Sequence, residues 1–125
     1  MSLRTPGLEA EHATLAALAS RYIDVASLPW KASKFPGVEI KVLMEDPESG
    51  LLTTLTRLAP GAVLPDHSHE ELEQTWVLEG SLVDEAGEVT AGNYVWRPKG
   101  SRHTAHAPKG ALTLGFFLKP NRFYE

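Results

Sequence analysis

The chain contains no cysteine. Disulfide staples are therefore excluded, and so is any metal site built on thiolate sulfur. Long hydrophobic runs are missing too: none approaches the roughly 20 residues that a bilayer-spanning helix needs. Positive charge is not in excess. Lys and Arg total 12 against 16 Asp and Glu, a formal net charge of −4 at pH 7. That balance gives no electrostatic reason to expect nucleic acid or an anionic membrane as a partner. The opening residues lack the apolar core of a secretion signal, because Glu9, Glu11 and His12 interrupt it. The expectation is a soluble, cytoplasmic protein.

A length of 125 residues with 42% hydrophobic content suits one globular domain and is too short for two ordinary ones. Residues 8–20, LEAEHATLAALAS, are the one helix candidate, with Leu8, Leu15 and Leu18 along one side and Pro6-Gly7 before them. This divides the chain into an N-terminal extension over residues 1–21 and a single domain over 22–125. His12 reads as a solvated surface residue.

From Arg21 onward, Gly and Pro cut the chain into short runs of strand character. Tyr22 to Val25 reads as an edge strand, and Leu28 to Gly37 as an irregular connection. Val38 to Met44 alternates apolar and polar residues and returns through the turn Asp46 to Gly50 into Leu51 to Leu58, a hairpin. Thr54 and Thr56 share one face of the returning strand; Leu55 and Arg57 share the other. Glu71 to Leu78 is a central strand ending at Gly80, with Thr75 and Val77 on the same side as Glu73. Ser81 to Val83 and Glu88 to Thr90 form a second hairpin around Asp84-Glu85-Ala86-Gly87. Tyr94 and Trp96 fall on one face of the next strand, Val95 and Arg97 on the other. A last strand runs over Ala111 to Leu118, and a tail follows. Eight or nine short strands imply an all-β sandwich or barrel.

Chemistry concentrates in two stretches. Gly61 to Gly80 carries His67 and His69 one residue apart, with Glu73 four positions later. Residues i and i+2 of a strand point to the same face, so the two imidazoles aim at one point. Gly92 to His103 supplies a third histidine from another strand. His67, His69, His103 and Glu73 make a nitrogen and oxygen donor set suited to one divalent first-row ion, and the donors alone do not choose among Fe(II), Zn(II), Mn and Ni. His106 lies three positions beyond His103, an odd offset that turns it to the opposite face.

The spacing of Gly61, His67, His69, Glu73 and Gly80 resembles the first signature of the cupin superfamily at every position. Gly92, Pro98, Gly100 and His103 resemble the second, whose usual closing Asn is replaced here by Ala107. The resemblance implies a jelly-roll β-barrel with the metal inside, near its open end. From Tyr22 onward the phrasing resembles the branch shared by acetylacetone (β-diketone) dioxygenases and the cupin half of zinc-dependent anti-sigma factors. That branch implies an Fe(II)-dependent dioxygenase cleaving a C–C bond in a small β-dicarbonyl substrate. The related diketone dioxygenases use three histidines, so Glu73 would be either a fourth ligand or a mobile carboxylate. Arg57, Tyr94 and Trp96 are candidate substrate contacts. The alternative is a non-catalytic sensor module responding to a small ligand. In the anti-sigma relatives a helical zinc domain using histidine and cysteine grips the sigma factor; with one short helix and no cysteine at the N-terminus, a sensor here is expected to need a separate partner chain. A metal-bound isomerase or lyase is a third possibility. By analogy with small cupins, a homodimer is expected.

Overall fold

The apolar–polar alternation that dominates the chain folds into strands almost throughout. The computed structural model describes residues 2–124. A helix α1 (Glu9–His12) and a 3₁₀ turn (Val25–Ser27) come first. Ten strands follow: β1 (Lys31–Ala32), β2 (Val38–Glu45), β3 (Leu52–Leu58), β4 (Ala62–Ser68), β5 (Glu73–Val83), β6 (Glu88–Thr90), β7 (Tyr94–Arg97), β8 (Arg102–Ala107), β9 (Ala111–Phe117) and β10 (Arg122–Phe123). They form one curled sheet in the order β1-β2-β3-β9-β5-β8-β4-β10, with β6 and β7 added against β5. The all-β expectation holds, and the two expected hairpins are β2–β3 and β5–β6.

Strand β5 is the seam of this sheet. Its first part pairs with β9 and β7, and its last residues pair with β6 and β8. The change of partners needs a bend, and Gly80 supplies it with φ 72°. A Cβ at Gly80 would lie 1.9 Å from the carbonyl oxygen of Gly110. The strand expected to stop at this glycine therefore passes through it to Val83. Glycine takes the left-handed conformation and the close approach that other residues cannot.

Two expectations near the N-terminus are corrected. The helix over residues 8–20 shrinks to Glu9–His12, with no residue buried. Leu15 is 41% exposed and Leu18 fully so; without an apolar surface to cover, a short helix does not recover its nucleation cost. Tyr22 to Val25 is not a strand, and Tyr22 stands 90% exposed. The edge strand is instead β1, which pairs Lys31 with Ile40. The segment before it covers the outer face of β2: the Lys41 ammonium reaches the Val25 carbonyl at 2.8 Å and lies over the Trp30 ring.

Inside the curl, Val38, Leu58, Ala62, Val77, Leu82, Val89, Ala107 and Ala111 form the buried apolar core. Thr54, Thr75 and Thr113 are buried on the same inner side. Alternation along β8 is strict: His103, Ala105 and Ala107 are buried, and His106 is exposed.

Candidate metal centre

Three imidazoles converge where β4 and β8 face each other. His67 and His103 are direct cross-strand partners. Pro65 lies within the irregular step of β4 between Leu64 and His67, where its missing N–H does not break the ladder. His69 follows two residues after His67, its backbone bonded to Ser101 and Gly100 ahead of β8. All three side chains are buried, His67 and His69 almost completely. One ring nitrogen from each histidine comes within 4.8 Å of the others.

The outer nitrogens are all committed. His67 Nδ1–H donates to the Pro65 carbonyl at 2.7 Å. His69 Nδ1–H faces the Ser101 carbonyl and hydroxyl at 3.0 and 2.8 Å. His103 Nδ1–H donates to Asp84 Oδ2 at 2.7 Å. Each acceptor fixes the proton on Nδ1 and leaves an Nε2 lone pair directed inward.

Those inner nitrogens test whether an ion belongs here. His67 Nε2 and His103 Nε2 lie 2.9 Å apart. Two lone pairs at that distance repel unless a proton or a metal cation lies between them. Two ligands at right angles, each about 2.1 Å from a shared ion, are separated by about 3 Å. His69 Nε2 is shut off from solvent and has no hydrogen-bond partner. An unpaired buried nitrogen beside two opposed ones is the arrangement a divalent ion relieves, and neutral imidazoles suit a first-row metal. The residues fit the group.

Burial disfavours the charged imidazolium and lowers the pKa of His67; the same cause lowers His69 to about 4. Both rings are therefore free of the proton that would compete with a metal near neutrality. Burial pushes the Asp84 carboxyl upward. The His103 bond, the Ala86 and Gly87 N–H groups and the Arg97 charge outweigh it, and Asp84 falls to about 2.

Glu73 sits beside the histidines and is already engaged. Its Oε2 is 3.6 Å from His69 Nε2 and 3.3 Å from Arg97 Nε, and its Oε1 accepts from Asn121 Nδ2 at 3.0 Å. Arg97 is the direct cross-strand partner of Glu73 and also holds Asp84 at 3.0 Å. One guanidinium thus spans both carboxylates. His67, His103 and Glu73 border a cavity of about 250 Å³ inside the curled sheet. Thr54, Thr75 and Thr113 line one wall, and Leu64, Leu82 and Ala105 line the facing one.

The profile of the ChrR Cupin-like domain family matches residues 18–121. The chain belongs to this family. No protein of curated function matches the sequence significantly. Among solved structures, a candidate acetylacetone dioxygenase from Methylibium petroleiphilum superposes with a TM-score of 0.79 at 20% identity, covering 89% of this chain and 85% of that one. An acetylacetone dioxygenase from Acinetobacter johnsonii gives 0.78 at 18% identity, covering 89% and 82%. The anti-sigma factor ChrR of Rhodobacter sphaeroides, in complex with SigE, gives 0.63 at 25% identity, covering 74% of this chain and 50% of that one. The match extends over about half the ChrR chain, and at these identities the dioxygenase likenesses show the shared cupin fold.

Of the residues singled out from the sequence of this cupin, the structure brings His67, His69, His103 and Glu73 together, with His67, His103 and Glu73 lining the cavity. It does not bring Arg57, Tyr94 or Trp96 there. Arg57 is exposed on the outer face of β3, paired with Glu39 at 2.9 Å and stacked over Trp30. Tyr94 and Trp96 are 45% and 59% exposed on the outer face of β7, and Tyr94 donates to Gln74. The residues of these strands that line the cavity are Leu52, Thr54, Thr56, Leu58 and Arg97. Sequence reasoning misses Asp84, Arg97, Ser101 and Asn121 as site residues. The one sequence signal for Arg97 is its parity, opposite to Tyr94 and Trp96; Asp84 reads as an ordinary turn residue.

Proposed function

We propose that this cupin is an Fe(II)-dependent dioxygenase that cleaves a C–C bond in a small β-dicarbonyl compound. The observation that carries the proposal is the three-histidine cluster at the end of a small, largely apolar cavity, beside a carboxylate already bound by Arg97 and Asn121. His67, His69 and His103 would hold the ion, and Glu73 would stay beside it, held by Arg97 and Asn121, as a carboxylate outside the ligand set. When bound, a divalent iron supplies Lewis acidity, a template for two substrate oxygens and reactivity toward O2. The protein's own part is different. Three neutral imidazoles give a donor set with no net charge, and the walls exclude water from a substrate of a few carbons. In this reading Glu73 would take the proton that a β-dicarbonyl loses on becoming its enolate. The overall step balances without a further reductant: the bond from the central carbon to one carbonyl carbon breaks, both atoms of O2 enter the products, and a carboxylic acid and a 1,2-dicarbonyl leave.

The test is oxygen uptake by protein prepared without air and loaded with Fe(II) or Zn(II) in parallel, over a panel of β-diketones. Uptake is expected with iron and a diketone and is lost in His103→Ala, while His106→Ala behaves as the parent. Tight zinc binding without iron-dependent uptake overturns the enzyme reading. It favours the alternative, a small-ligand sensor module, which the family match and the likeness to ChrR support. The proposal includes a homodimer built on the outer face of β7, β5 and β9, where Trp76, Leu78, Tyr94, Trp96, Phe116 and Leu118 are all exposed.

A further inference from the structure

Four threonines, Thr54, Thr56, Thr75 and Thr113, line the cavity. They come from three neighbouring strands and fall in two adjacent rows. Thr54 and Thr75 flank Gly115 in one row, and Thr113 stands between Thr56 and Val77 in the next. Thr54, Thr75 and Thr113 are each less than a tenth exposed. Strands favour Thr and Val alike, so strand formation does not account for the hydroxyls. Valine has the same shape and brings no polar atom to satisfy, and it is the residue found at Val77.

Two of the four hydroxyls have no partner in the protein. Thr54 Oγ1 and Thr56 Oγ1 lie 3.5 Å apart and form one long bond. Among the described residues, none hydrogen-bonds the Thr75 or the Thr113 hydroxyl. These two oxygens are not sealed in. The buried polar atoms that lack both a partner and accessible surface are His69 Nε2 and Asn121 Oδ1. The two threonine hydroxyls therefore keep accessible surface, and the space their inward side chains border is the cavity. A hydroxyl held away from bulk water without a partner is unfavourable, so each calls for an oxygen or nitrogen from whatever occupies that space.

Their place relative to the histidines gives the ligand a length. Thr75 follows Glu73 on the inner face of β5, two residues or about 7 Å along the strand. Thr113, opposite Val77, lies one step further. Charge is not what this wall complements. Arg97, the cation lining the cavity, is committed to Glu73 and Asp84. The facing wall of Leu64, Leu82 and Ala105 carries no polar side chain. The hydroxyls suit a neutral oxygen along one edge of an otherwise apolar molecule.

We infer that Thr75 and Thr113 bind a hydroxyl group of the molecule held in the cavity, so that the site selects an O,O-chelating small molecule with a neutral hydroxyl on the end remote from its chelating oxygens. Within the proposed reaction, which this inference assumes, the class is a β-dicarbonyl with a hydroxylated side chain, in preference to a hydrocarbon diketone. Polar groups left unpaired by the wrong ligand are how such a site discriminates.

The probes are kojic acid and allomaltol. These pyranones chelate through the same hydroxyl and ketone oxygens, and a remote hydroxymethyl group in the first is a methyl group in the second. Both are titrated into the Co(II)-loaded protein and followed by its visible absorption. Relative to the ratio for free Co(II), the parent protein is expected to bind kojic acid about tenfold more tightly. The double variant Thr75→Val with Thr113→Val keeps the volume and removes the hydroxyls. It is expected to bring the two probes to parity with Co(II) affinity unchanged, and the single variants give the same comparison if the double one does not fold. Equal binding by the parent protein overturns the inference and leaves the proposed function standing, because water then serves the threonines. A preference that survives in the valine variants also overturns it, because another group then holds the hydroxymethyl oxygen. If Co(II) is not held, or neither pyranone alters its spectrum, the metal-centred function itself falls and this inference with it.

Discussion

In the proposed metal site, Asp84 would set how well His103 serves as a ligand. Its carboxylate accepts the Nδ1 proton, and its low pKa keeps it ionised throughout the neutral range. A carboxylate behind a ligating imidazole fixes the ring and raises its basicity. Asp84→Asn keeps an acceptor in place and removes the charge, so metal affinity should fall by about tenfold, read by competition with a chromophoric chelator. His106→Ala should leave that affinity unaltered. The metal-free protein should also be acid-sensitive in a defined window. Burial lowers the His69 pKa from 6.5 to about 4. Between these values the unfolded chain binds the proton and the folded chain does not. The contribution of His69 to stability is thus fully retained above pH 6.5 and declines as pH falls toward about 4. The loss is on the order of 3 kcal/mol at the acid end, and urea unfolding of metal-free protein across this range measures it.

The strands place these residues through a few exceptional positions. Gly80 is the sharpest. Any side chain there meets the Gly110 backbone, and φ is positive as well. Gly80→Ala should cost roughly 3 kcal/mol or more and lower the melting temperature accordingly. Gly87, in the β5–β6 turn, has open space where a methyl group would stand, with no atom within 4 Å, and no positive φ. Gly87→Ala should stay within about 0.5 kcal/mol of the parent, and a matched loss in both variants would remove the special role assigned to the bend. The N-terminal helix shows the opposite situation. Its sequence has good local propensity and its structure has nothing to pack against, so propensity alone leaves one turn.

At the scale of the whole molecule, the curl separates two surfaces of different character. The inner surface holds histidines, threonines and small apolar residues around the cavity. On the outer surface, Tyr94 and Leu114 flank Trp76, and Trp96 and Phe116 flank Gln74, in adjacent rows across β7, β5 and β9. A contiguous apolar face of this kind marks an interaction surface more often than bare solvent contact. In the proposed dimer a second copy would bury it by two-fold symmetry. The parent protein should sediment as a dimer, and the double variant Trp76→Ser with Trp96→Ser as a monomer that still binds Co(II). A monomeric parent at micromolar concentration would refute the proposed dimer.

Much of this architecture is legible in the unfolded chain because it depends on local rules. Two-residue periodicity puts His67 and His69 on one face and separates His103 from His106, and turn residues mark both hairpins. The signature spacings point to the cupin fold and to the four residues that meet beside the cavity. Parity, however, sorts a strand into two sets without saying which set faces inward. That is why Arg57, Tyr94 and Trp96 stand as pocket candidates in the sequence while Thr54, Thr56 and Arg97 hold the inner positions. The inward set is chosen by what covers the other face, and for β2 and β3 the cover is Trp30, stacked on Lys41 and Arg57. The supporting polar groups are hidden for a related reason. Asp84 lies 19 residues from His103, and Asn121 lies 48 from Glu73. Their roles are cross-strand contacts that exist only once the sheet has curled, and no local pattern encodes them.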